Sequence, residues 1–272
     1  MFKDKVIFIT GATRGIGKAI ALKLAAGGAR IVIAAKSVEE NPKLGGTIYT
    51  AAKEIEAAGG QALSIPCDVR DEEAIIAAVS TAVNTFGGID VLINNASAIS
   101  LTSTEATPSK RFDLMHDVNV RGTFLMGKHC IPHLKKAENP HILTLSPPID
   151  FRPDWLGPHI AYTMSKYNMS LMTLGWAAEF KGVGIAANSL WPVTTIATAA
   201  VKNLLGGDML MNVSRKPDIV ADAAYEILSK PARECTGHLF LDEDVLKAAG
   251  VADFSQYSFV PGSRLQKDLF VA

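Results

Sequence analysis

Short apolar runs alternate with stretches of helical periodicity along the whole chain. The apolar runs predict β-strands at residues 5–9, 30–35, 62–65, 89–93, 141–145, 183–188 and 238–241. The intervening stretches predict helices at residues 18–25, 47–58, 72–86, 109–130 and 162–180, and another that opens at 217. Strands that alternate with helices on this scale are typical of a parallel sheet covered on both faces. We therefore expect an α/β fold with a doubly wound parallel sheet of about seven strands.

The chain shows neither an interdomain linker nor an internal repeat, so residues 1–272 are expected to form a single domain. With 272 residues, of which 48 % are hydrophobic, it is long enough to bury a large core. One stretch interrupts the alternation of strands and helices. Residues 193–216 carry no clear strand pattern and contain Gly206-Gly207, which favours a mobile lid over a cleft.

A glycine-rich turn lies between the first predicted strand and the first helix. It places Gly11, Gly15 and Gly17 within seven residues, in the order G-x-x-x-G-x-G. Gly11 permits a tight turn, and the other two allow a pyrophosphate and the sheet to approach the backbone at the start of a helix. A strand, a glycine turn and a helix are the first half of a Rossmann-type dinucleotide-binding unit, although the usual spacing is G-x-G-x-x-G. The alternative is a tight connection without a ligand.

The pair Tyr162 and Lys166 is the clearest candidate for catalysis. A separation of four residues places the phenol and the ammonium on one face of a helix. At an effective dielectric near 20, a positive charge about 4 Å away favours the phenolate by roughly 4 kcal/mol, which would lower the tyrosine pKa by roughly 3 units. The pair is therefore predicted to act in proton transfer, although the same spacing also arises by chance in helices.

Several polar residues and one proline follow the predicted strands at the points where those strands end. They are Asp68, Asn94, Asn95, Ser146 and Pro192. Each is ordinary in a turn or a cap when taken alone. Because ligands bind beyond the carboxyl ends of parallel strands, we expect these residues to converge on one binding edge of the sheet.

Composition narrows the classes of partner and the compartment. The 27 Lys and Arg residues balance 27 Asp and Glu, which argues against nucleic acid or an anionic membrane surface as a partner. Cys67, Cys130 and Cys235 are far apart without a C-x-x-C pair, which fits a reducing compartment and argues against a metal site. The first strand begins too early for a signal peptide, and no apolar run is long enough for a membrane span. We expect a cytoplasmic protein.

The motifs together resemble the short-chain dehydrogenase/reductase family over essentially the whole chain. The resemblance rests on a set of motifs in the family's order: TGATRGIG at residues 10–17, Asp68-Val69, Asn94-Asn95-Ala96, Asn119, Ser146 and Tyr162-x-x-x-Lys166. It implies an oxidoreductase that transfers a hydride between a nicotinamide cofactor and a ketone or alcohol. It also implies a homodimer or homotetramer that assembles through the helices predicted at 109–130 and 162–180.

The same resemblance implies roles for four residues. Tyr162 is the general acid in carbonyl reduction and the base in alcohol oxidation, and Lys166 lowers its pKa and binds the nicotinamide ribose. Ser146 donates a hydrogen bond to the substrate oxygen as charge develops there. Asn119 holds a water that relays protons to Lys166, or alternatively bonds helix backbone through its side chain.

The resemblance also implies a set of cofactor contacts. Asp68 should bond the adenine amino group with Val69 against the ring, while Asn94 and Ala96 line the adenine-ribose side. The whole predicted cofactor set is Gly11, Thr13, Arg14, Gly15, Ile16, Gly17, Lys36, Asp68, Val69, Asn95, Ala96, Tyr162, Lys166, Pro192 and Thr194.

Charge at the end of the second strand predicts which nicotinamide cofactor binds. A site for NAD carries an acidic residue there to accept a hydrogen bond from the ribose 2′-hydroxyl. This chain has Ala34-Ala35-Lys36-Ser37 instead, and Lys36 with Arg14 could meet a 2′-phosphate. We therefore predict NADP(H) rather than NAD(H), the alternative for Lys36 being a solvated loop lysine.

Departures from the family pattern concern the substrate side. Ser97 and Val193 stand where glycine is usual, and the spacing from Ser146 to Tyr162 is longer than is typical. The extra residues 147–159 include aromatic side chains that would form an apolar wall for substrate, or else a surface or subunit-contact loop. Residues 254–272 would close the pocket or reach a neighbouring subunit.

An apolar, lipid-like ketone or alcohol is accordingly the expected substrate. A nucleotide-binding regulator with little turnover is the alternative from another class, and an enoyl reductase is a further alternative among enzymes. Pure cofactor binding would not need the Tyr162–Lys166 pair, which favours the enzyme.

Overall fold

The sheet has seven parallel strands in the order β3-β2-β1-β4-β5-β6-β7 over residues 1–271, which the structure, a computed structural model, describes. Residue 272, the last of the predicted domain, lies outside the described residues. The strands are β1 Val6–Thr10, β2 Arg30–Ala35, β3 Gln61–Pro66, β4 Val91–Asn94, β5 His141–Thr144, β6 Ala186–Trp191 and β7 Leu239–Leu241. The order reverses between β1 and β4, where ligands of doubly wound sheets bind. The predicted fold class is confirmed.

Helices cover both faces of the sheet. The α-helices are α1 Gly15–Ala25, α2 Ile48–Ala57, α3 Glu72–Phe86, α4 Ser109–Met115, α5 Thr123–Leu134, α6 Pro153–Leu156, α7 Ile160–Glu179, α8 Gly207–Asn212, α9 Asp218–Leu228 and α10 Asp242–Ala248. Shorter helical turns lie at His116–Gly122 and Val201–Leu205 (π), and at Lys181–Val183 and Ser255–Tyr257 (3₁₀). Within residues 1–271, no helix combines the length and the apolar character needed to cross a bilayer.

The hydrophobic core lies in two layers because side chains on successive strand residues point to opposite faces. On β1, Ile7 and Ile9 pack with α1, α2, α9 and α10, whereas Phe8 packs with α3, α5 and α7. All three side chains are fully buried. A strand buried on both faces reads as an unbroken apolar run, which is why the sequence shows no alternation there.

Local capping explains where several helices begin. Asp71 accepts hydrogen bonds from the backbone N–H groups of Glu73 and Ala74, so α3 begins at the predicted residue. Thr47 and Thr50 form a reciprocal capping box at the start of α2.

Several predicted elements differ from the structure at their ends, and two of these differences have a clear physical reason. The helix predicted at 109–130 is interrupted by the π-helical turn His116–Gly122, which apolar periodicity does not reveal. The strand predicted at 183–188 starts three residues later and continues to Trp191, because Leu190 and Trp191 pair with β7. Pairing with a strand some fifty residues away is decided by the sheet rather than by the local apolar run.

Candidate active site

A cleft of about 840 Å³ opens beyond the carboxyl ends of the central strands. Residues from seven separate parts of the chain line it, among them Ile16, Asn95, Ser97, Tyr162, Lys166, Trp191, Pro192 and Asp268. The fold therefore brings the glycine turn, the loop after β4 and the Tyr–Lys pair into one cavity. Its size is that of a pocket for a small organic molecule.

Tyr162 and Lys166 lie one turn apart on α7 and both line this cleft. Both side chains are almost completely buried. The Lys166 ammonium donates to the Leu145 carbonyl oxygen at 2.6 Å and lies 3.5 Å from the Ser97 hydroxyl. It also lies 5.1 Å from the centre of the Trp191 ring, which adds a cation–π contact.

Burial sets the proton affinities of this pair. It raises the pKa of Tyr162, and the nearby Asp268 carboxylate raises it further. Burial also lowers the pKa of Lys166 to about 7, although Asp268 acts against that change. The predicted lowering of the tyrosine pKa by its lysine neighbour is therefore wrong for this state. Removal from water penalises the phenolate, and a lysine with a pKa of about 7 carries only part of its charge at neutral pH.

Ser146 has an unpaired hydroxyl at the carboxyl end of β5. Its side chain is completely buried, and its Oγ has no hydrogen-bond partner in the described part of the chain. Ser146 itself is not among the residues that line the cleft, but the preceding residue, Leu145, is. Because buried hydroxyls are usually paired, this one is a candidate hydrogen-bond donor for a ligand.

Asn119 lies in the π-helical turn with its side-chain amide already engaged. Its Oδ1 accepts from the Ala98 N–H at 2.8 Å, and its Nδ2 donates to the Ala98 carbonyl and to the Ser165 hydroxyl, both at 2.9 Å. Both amide protons are therefore used. The alternative prediction for Asn119 was a side-chain bond to helix backbone. The structure instead shows bonds to the backbone of Ala98, which lies in the loop after β4.

The glycine turn rests on the side chain of Asn95. The Asn95 amide donates to the carbonyl oxygens of Thr10 and Gly11 at 2.9 and 3.0 Å. A Cβ on Gly17 would lie 2.4 Å from Asn95 Nδ2, which no real Cβ tolerates. Thr10 Oγ1 accepts from the backbone N–H groups of Asn95 and Ala96 and ties the two loops together. Asn95 therefore supports the turn from beneath.

The start of α1 fits a pyrophosphate. Its N-cap residue, Arg14, makes no side-chain capping bond, so protein side chains within residues 1–271 leave the first turn uncapped. Gly15 has a φ of 56°, and a Cβ there would lie 3.3 Å from Thr198. Uncapped N–H groups and a close backbone approach are what a dinucleotide phosphate requires. Thr13 is buried within the same turn, and Ile16 reaches the cleft.

The predicted adenine and ribose contacts lie outside the cleft lining, along the outer part of the sheet edge. Arg14 donates to the Ser37 hydroxyl at 3.2 Å and to the Gly46 carbonyl at 3.1 Å, while Lys36 is exposed to solvent. Asp68 is paired with Arg70 at 2.5 Å, and this partner lowers the carboxyl pKa. Its carboxylate is thus partly engaged before any adenine binds.

Two further predicted residues are buried without side-chain partners in the described residues. Both polar atoms of the Asn94 amide are unpaired, and so is Thr194 Oγ1. Val69 is buried against the π-helical turn, where a Cβ on Gly122 would meet it at 2.9 Å. Their roles in cofactor binding stay predictions.

Residues 266–269 form a wall of the cleft, and the buried Phe270 follows them. From the sequence, this segment was expected to close the pocket or to reach a neighbouring subunit. Thr195 N donates to the Gln266 carbonyl at 3.0 Å, and Trp191 Nε1 donates to the Leu269 carbonyl at 2.8 Å. The ring centre of Phe270 lies 6.2 Å from that of Tyr162 and 5.9 Å from that of Trp191. No sequence motif predicts this contact, because the segment lies about a hundred residues after Tyr162 in the chain and only the fold brings the two together.

The inserted residues 147–159 contribute no side chain to the lining of the described cleft, so their role as a substrate wall stays a prediction. The ring of Trp155 packs against Phe270 with centres 6.0 Å apart, so this part extends the aromatic wall behind Tyr162. Phe151 is 76 % exposed and faces solvent.

Comparisons with known proteins agree with this geometry. A family model described as short chain dehydrogenase matches residues 5–206. Hydroxysteroid dehydrogenase-like protein 2 of Homo sapiens is 57 % identical over 265 residues, which cover 97 % of this chain and 63 % of that protein. The chain therefore spans less than two thirds of the length of this curated relative.

Solved structures show the same fold over the whole chain. A candidate dehydrogenase from Xanthomonas campestris is 52 % identical with a TM-score of 0.97, covering 100 % of this chain and 99 % of that one. A short-chain dehydrogenase from Mycobacterium thermoresistibile is 57 % identical with a TM-score of 0.95, covering 100 % and 96 %. Other short-chain dehydrogenases of this fold have been solved with NADP or with NAD. Family match, sequence identity and site geometry agree: the chain belongs to the short-chain dehydrogenase/reductase family of oxidoreductases.

Proposed function

We propose that this protein is an NADP(H)-dependent carbonyl reductase or alcohol dehydrogenase that acts on an apolar, lipid-like ketone or alcohol. The observation that carries the proposal is that Tyr162 and Lys166 line one cleft together with Leu145 and with Ile16 of the glycine turn, while the hydroxyl of Ser146, which follows Leu145, is buried and unpaired among residues 1–271. Bound nicotinamide would supply or accept the hydride.

Tyr162, Ser146 and Lys166 would then have separate roles in proton transfer to the substrate oxygen. A phenol with a raised pKa is protonated at neutral pH, which is the form that donates to a carbonyl oxygen during reduction. The Ser146 hydroxyl would donate a second hydrogen bond to the same oxygen. Lys166 would provide positive charge beside the phenol. We therefore expect reduction near neutrality and oxidation at higher pH.

The preference for NADP(H) is supported by the charge at the end of β2. Arg14 lies beside Ser37, and the residues from Ala34 to Ser37 include a lysine and no acid. A phosphate on the ribose would meet these groups without repulsion, as Arg binds phosphate in a bidentate manner. Comparison of the dissociation constants for NADPH and NADH tests the choice. Lys36→Asp should weaken NADPH binding, and a clear preference of the wild type for NADH would refute it.

The apolar substrate is supported by the lining of the cleft. Its hydrophobic side chains include Ile99, Leu101, Trp191, Leu204, Leu205, Leu210 and Leu269. Three of them lie within residues 193–216, where the turn Val201–Leu205 and α8 stand over the cavity. We propose that this stretch acts as the lid that opens for substrate.

A screen of ketones, aldehydes and acyl thioesters with NADPH tests the proposed activity, with Tyr162→Phe as the control. Tyr162→Phe keeps the ring and removes only the hydroxyl, so cofactor affinity should stay while turnover disappears. Turnover by both proteins would assign the proton transfer elsewhere. Cofactor binding without turnover of any substrate would favour the nucleotide-binding regulator.

We also propose that the protein is a homodimer or homotetramer in a reducing compartment such as the cytoplasm. Phe124 on α5 and Met164 and Leu171 on α7 are 50 %, 44 % and 55 % exposed, so both helices present large apolar side chains that a second copy of the chain could cover. The three cysteines are free and buried, as suits a reducing environment. Light scattering on the wild type and Phe124→Glu tests the assembly, because a charge in the interface should dissociate it. A wild-type mass equal to one chain would refute it.

A further inference from the structure

Charged side chains in the lining of the cleft are mostly cationic. Within the described residues, the lining contains the cationic side chains of Arg111, Lys166 and Lys267 and a single carboxylate, that of Asp268. Most of the remaining lining residues are apolar. Walls of low dielectric that carry an excess of one charge focus its field and attract a ligand of the opposite charge. The cleft therefore suits a ligand that is largely apolar and carries an anionic group.

The cations differ in their exposure to solvent. Lys166 is almost completely buried, like Tyr162, whereas Arg111 and Lys267 are exposed. The cleft thus combines a buried centre for proton transfer with apolar walls and with positive charge that faces solvent. An anionic group can bind an exposed cation without being fully removed from water, which keeps the desolvation cost of both charges small.

Arg111 has no role within the folded chain that would explain its position. It lies in the first turn of α4, Ser109–Met115, and its side chain makes no hydrogen bond or ion pair within residues 1–271. The first turn of this helix contains no acidic residue. Because the amino end of a helix carries partial positive charge, a cation in the first turn does not stabilise the helix. The guanidinium is therefore available to a ligand in the cleft.

Arg111 lies on the substrate side of the site and not among the predicted phosphate contacts of the cofactor. Its helix, α4, packs against α7, the helix that carries Tyr162 and Lys166. The predicted phosphate contacts instead lie at the glycine turn and after β2, where Arg14 donates to the Ser37 hydroxyl. A change at Arg111 should consequently affect the substrate and leave the affinity for NADPH unchanged.

We propose that Arg111 is a specificity-determining residue, which binds an anionic group on an otherwise apolar substrate. The substrate would then be an acidic amphiphile, a ketone or alcohol whose hydrocarbon chain also carries a carboxylate or a phosphate. This proposal rests on the proposed function for the reaction at Tyr162, whereas binding of the anionic group is a property of the cleft alone. The planar guanidinium of arginine can donate two parallel hydrogen bonds to either anion.

Equilibrium binding tests the role of Arg111 without any turnover. Isothermal titration calorimetry compares decanoate, decyl phosphate and decanol, each kept below the concentration at which it aggregates. In Arg111→Met, which keeps an unbranched apolar stem and removes the charge, affinity for the better-bound anion should fall about tenfold, because charge-assisted hydrogen bonds are lost. The affinity for decanol should stay the same. Whichever anion binds the wild type more tightly identifies the anionic group.

Two control variants separate the side chain of Arg111 from the general charge of the helix. Lys110→Met removes an exposed cation of α4 that does not line the cleft, and it should bind all three probes as the wild type does. Arg111→Lys keeps the charge and should restore part of the affinity for the anion. In the wild type, added salt should weaken the binding of the anion and leave that of decanol unchanged, because exposed charges are screened.

The proposal would be overturned if the wild type bound neither anion, or if Arg111→Met bound the anion as tightly as the wild type. Equal losses of affinity for the anion and for decanol would also overturn it, as would a comparable loss for NADPH, which would assign Arg111 to the cofactor. With an active ketone, Arg111→Met should raise KM for an oxo acid but not for its methyl ester, with kcat unchanged. Failure of the proposed function would appear separately, as the absence of Tyr162-dependent turnover, and would leave the binding results unaffected.

Discussion

Gly17→Ala is expected to destabilise the fold by displacing the side chain beneath the glycine turn. A Cβ at this position would lie 2.4 Å from Asn95 Nδ2 and 2.8 Å from the Gly11 carbonyl oxygen. The Asn95 amide cannot retreat without losing its bonds to Thr10 and Gly11. The methyl group and those bonds therefore compete for one space.

The magnitude follows from three opposing contributions. Losing two hydrogen bonds costs about 2 kcal/mol, and crowding a packed site costs about 1–3 kcal/mol more. Replacing glycine by alanine inside a helix returns about 1 kcal/mol. We expect the free energy of unfolding to fall by about 3 kcal/mol, with weaker NADPH binding because the turn must move.

Gly175→Ala is the matched control. Gly175 lies inside α7, and a Cβ there meets no atom within 4 Å in the described structure. This variant should gain up to about 1 kcal/mol from helix propensity. Urea unfolding of both variants and the wild type measures the difference. If Gly17→Ala unfolded at the same urea concentration as the wild type, the contact with Asn95 would not restrict this residue.

Three further predictions follow from buried groups. Ser146→Ala should reduce kcat/KM about 100-fold while leaving the free energy of unfolding nearly unchanged, because the hydroxyl has no protein partner to lose among residues 1–271; an unaltered rate in a ketone assay would remove Ser146 from the site. Burial lowers the pKa of His141 to about 4, below its unfolded value, so the unfolded chain binds the extra proton first and stability declines as pH falls from about 6.5 towards 4. This decline should reach about 3 kcal/mol in urea titrations at several pH values, and His141→Asn should flatten it; a wild type equally stable at both pH values would show that His141 does not stay neutral in the fold. Gly127→Ala should destabilise by about 1–3 kcal/mol, because a Cβ would lie 2.5 Å from the Trp176 ring; a thermal midpoint equal to that of the wild type would contradict the contact.

Local pattern was enough for most of the architecture. An unbroken apolar run such as Ile7-Phe8-Ile9 is readable because a strand buried on both faces needs apolar residues at every position. Asp71 predicted the start of α3 because a side-chain carboxylate can cap the next few N–H groups without help from the rest of the fold. The spacing of the glycines and the interval between Tyr162 and Lys166 predicted two parts of one cleft for the same reason. Each pattern spans only one or two turns of backbone, so local geometry determines it.

Local sequence patterns could not predict the effects of burial or the contacts between residues far apart in the chain. The extent of β6 depends on its partner β7, and the side chain of Asn119 in the π-helical turn bonds to Ala98, 21 residues earlier in the chain. The direction of the tyrosine pKa was predicted wrongly because the prediction weighed one neighbouring charge without the loss of water.

The sequence by itself determined the α/β class, the glycine turn, the Tyr–Lys pair and membership of an oxidoreductase family, because these are written in short intervals of residues. Only the tertiary structure decided that Ser146 is left unpaired, that Asn95 supports the turn, and that Asp268 lines the same cleft as Lys166 although it lies about a hundred residues further along the chain. The physical reason is that desolvation and charge pairing depend on which side chains meet in three dimensions, and no local pattern records those meetings.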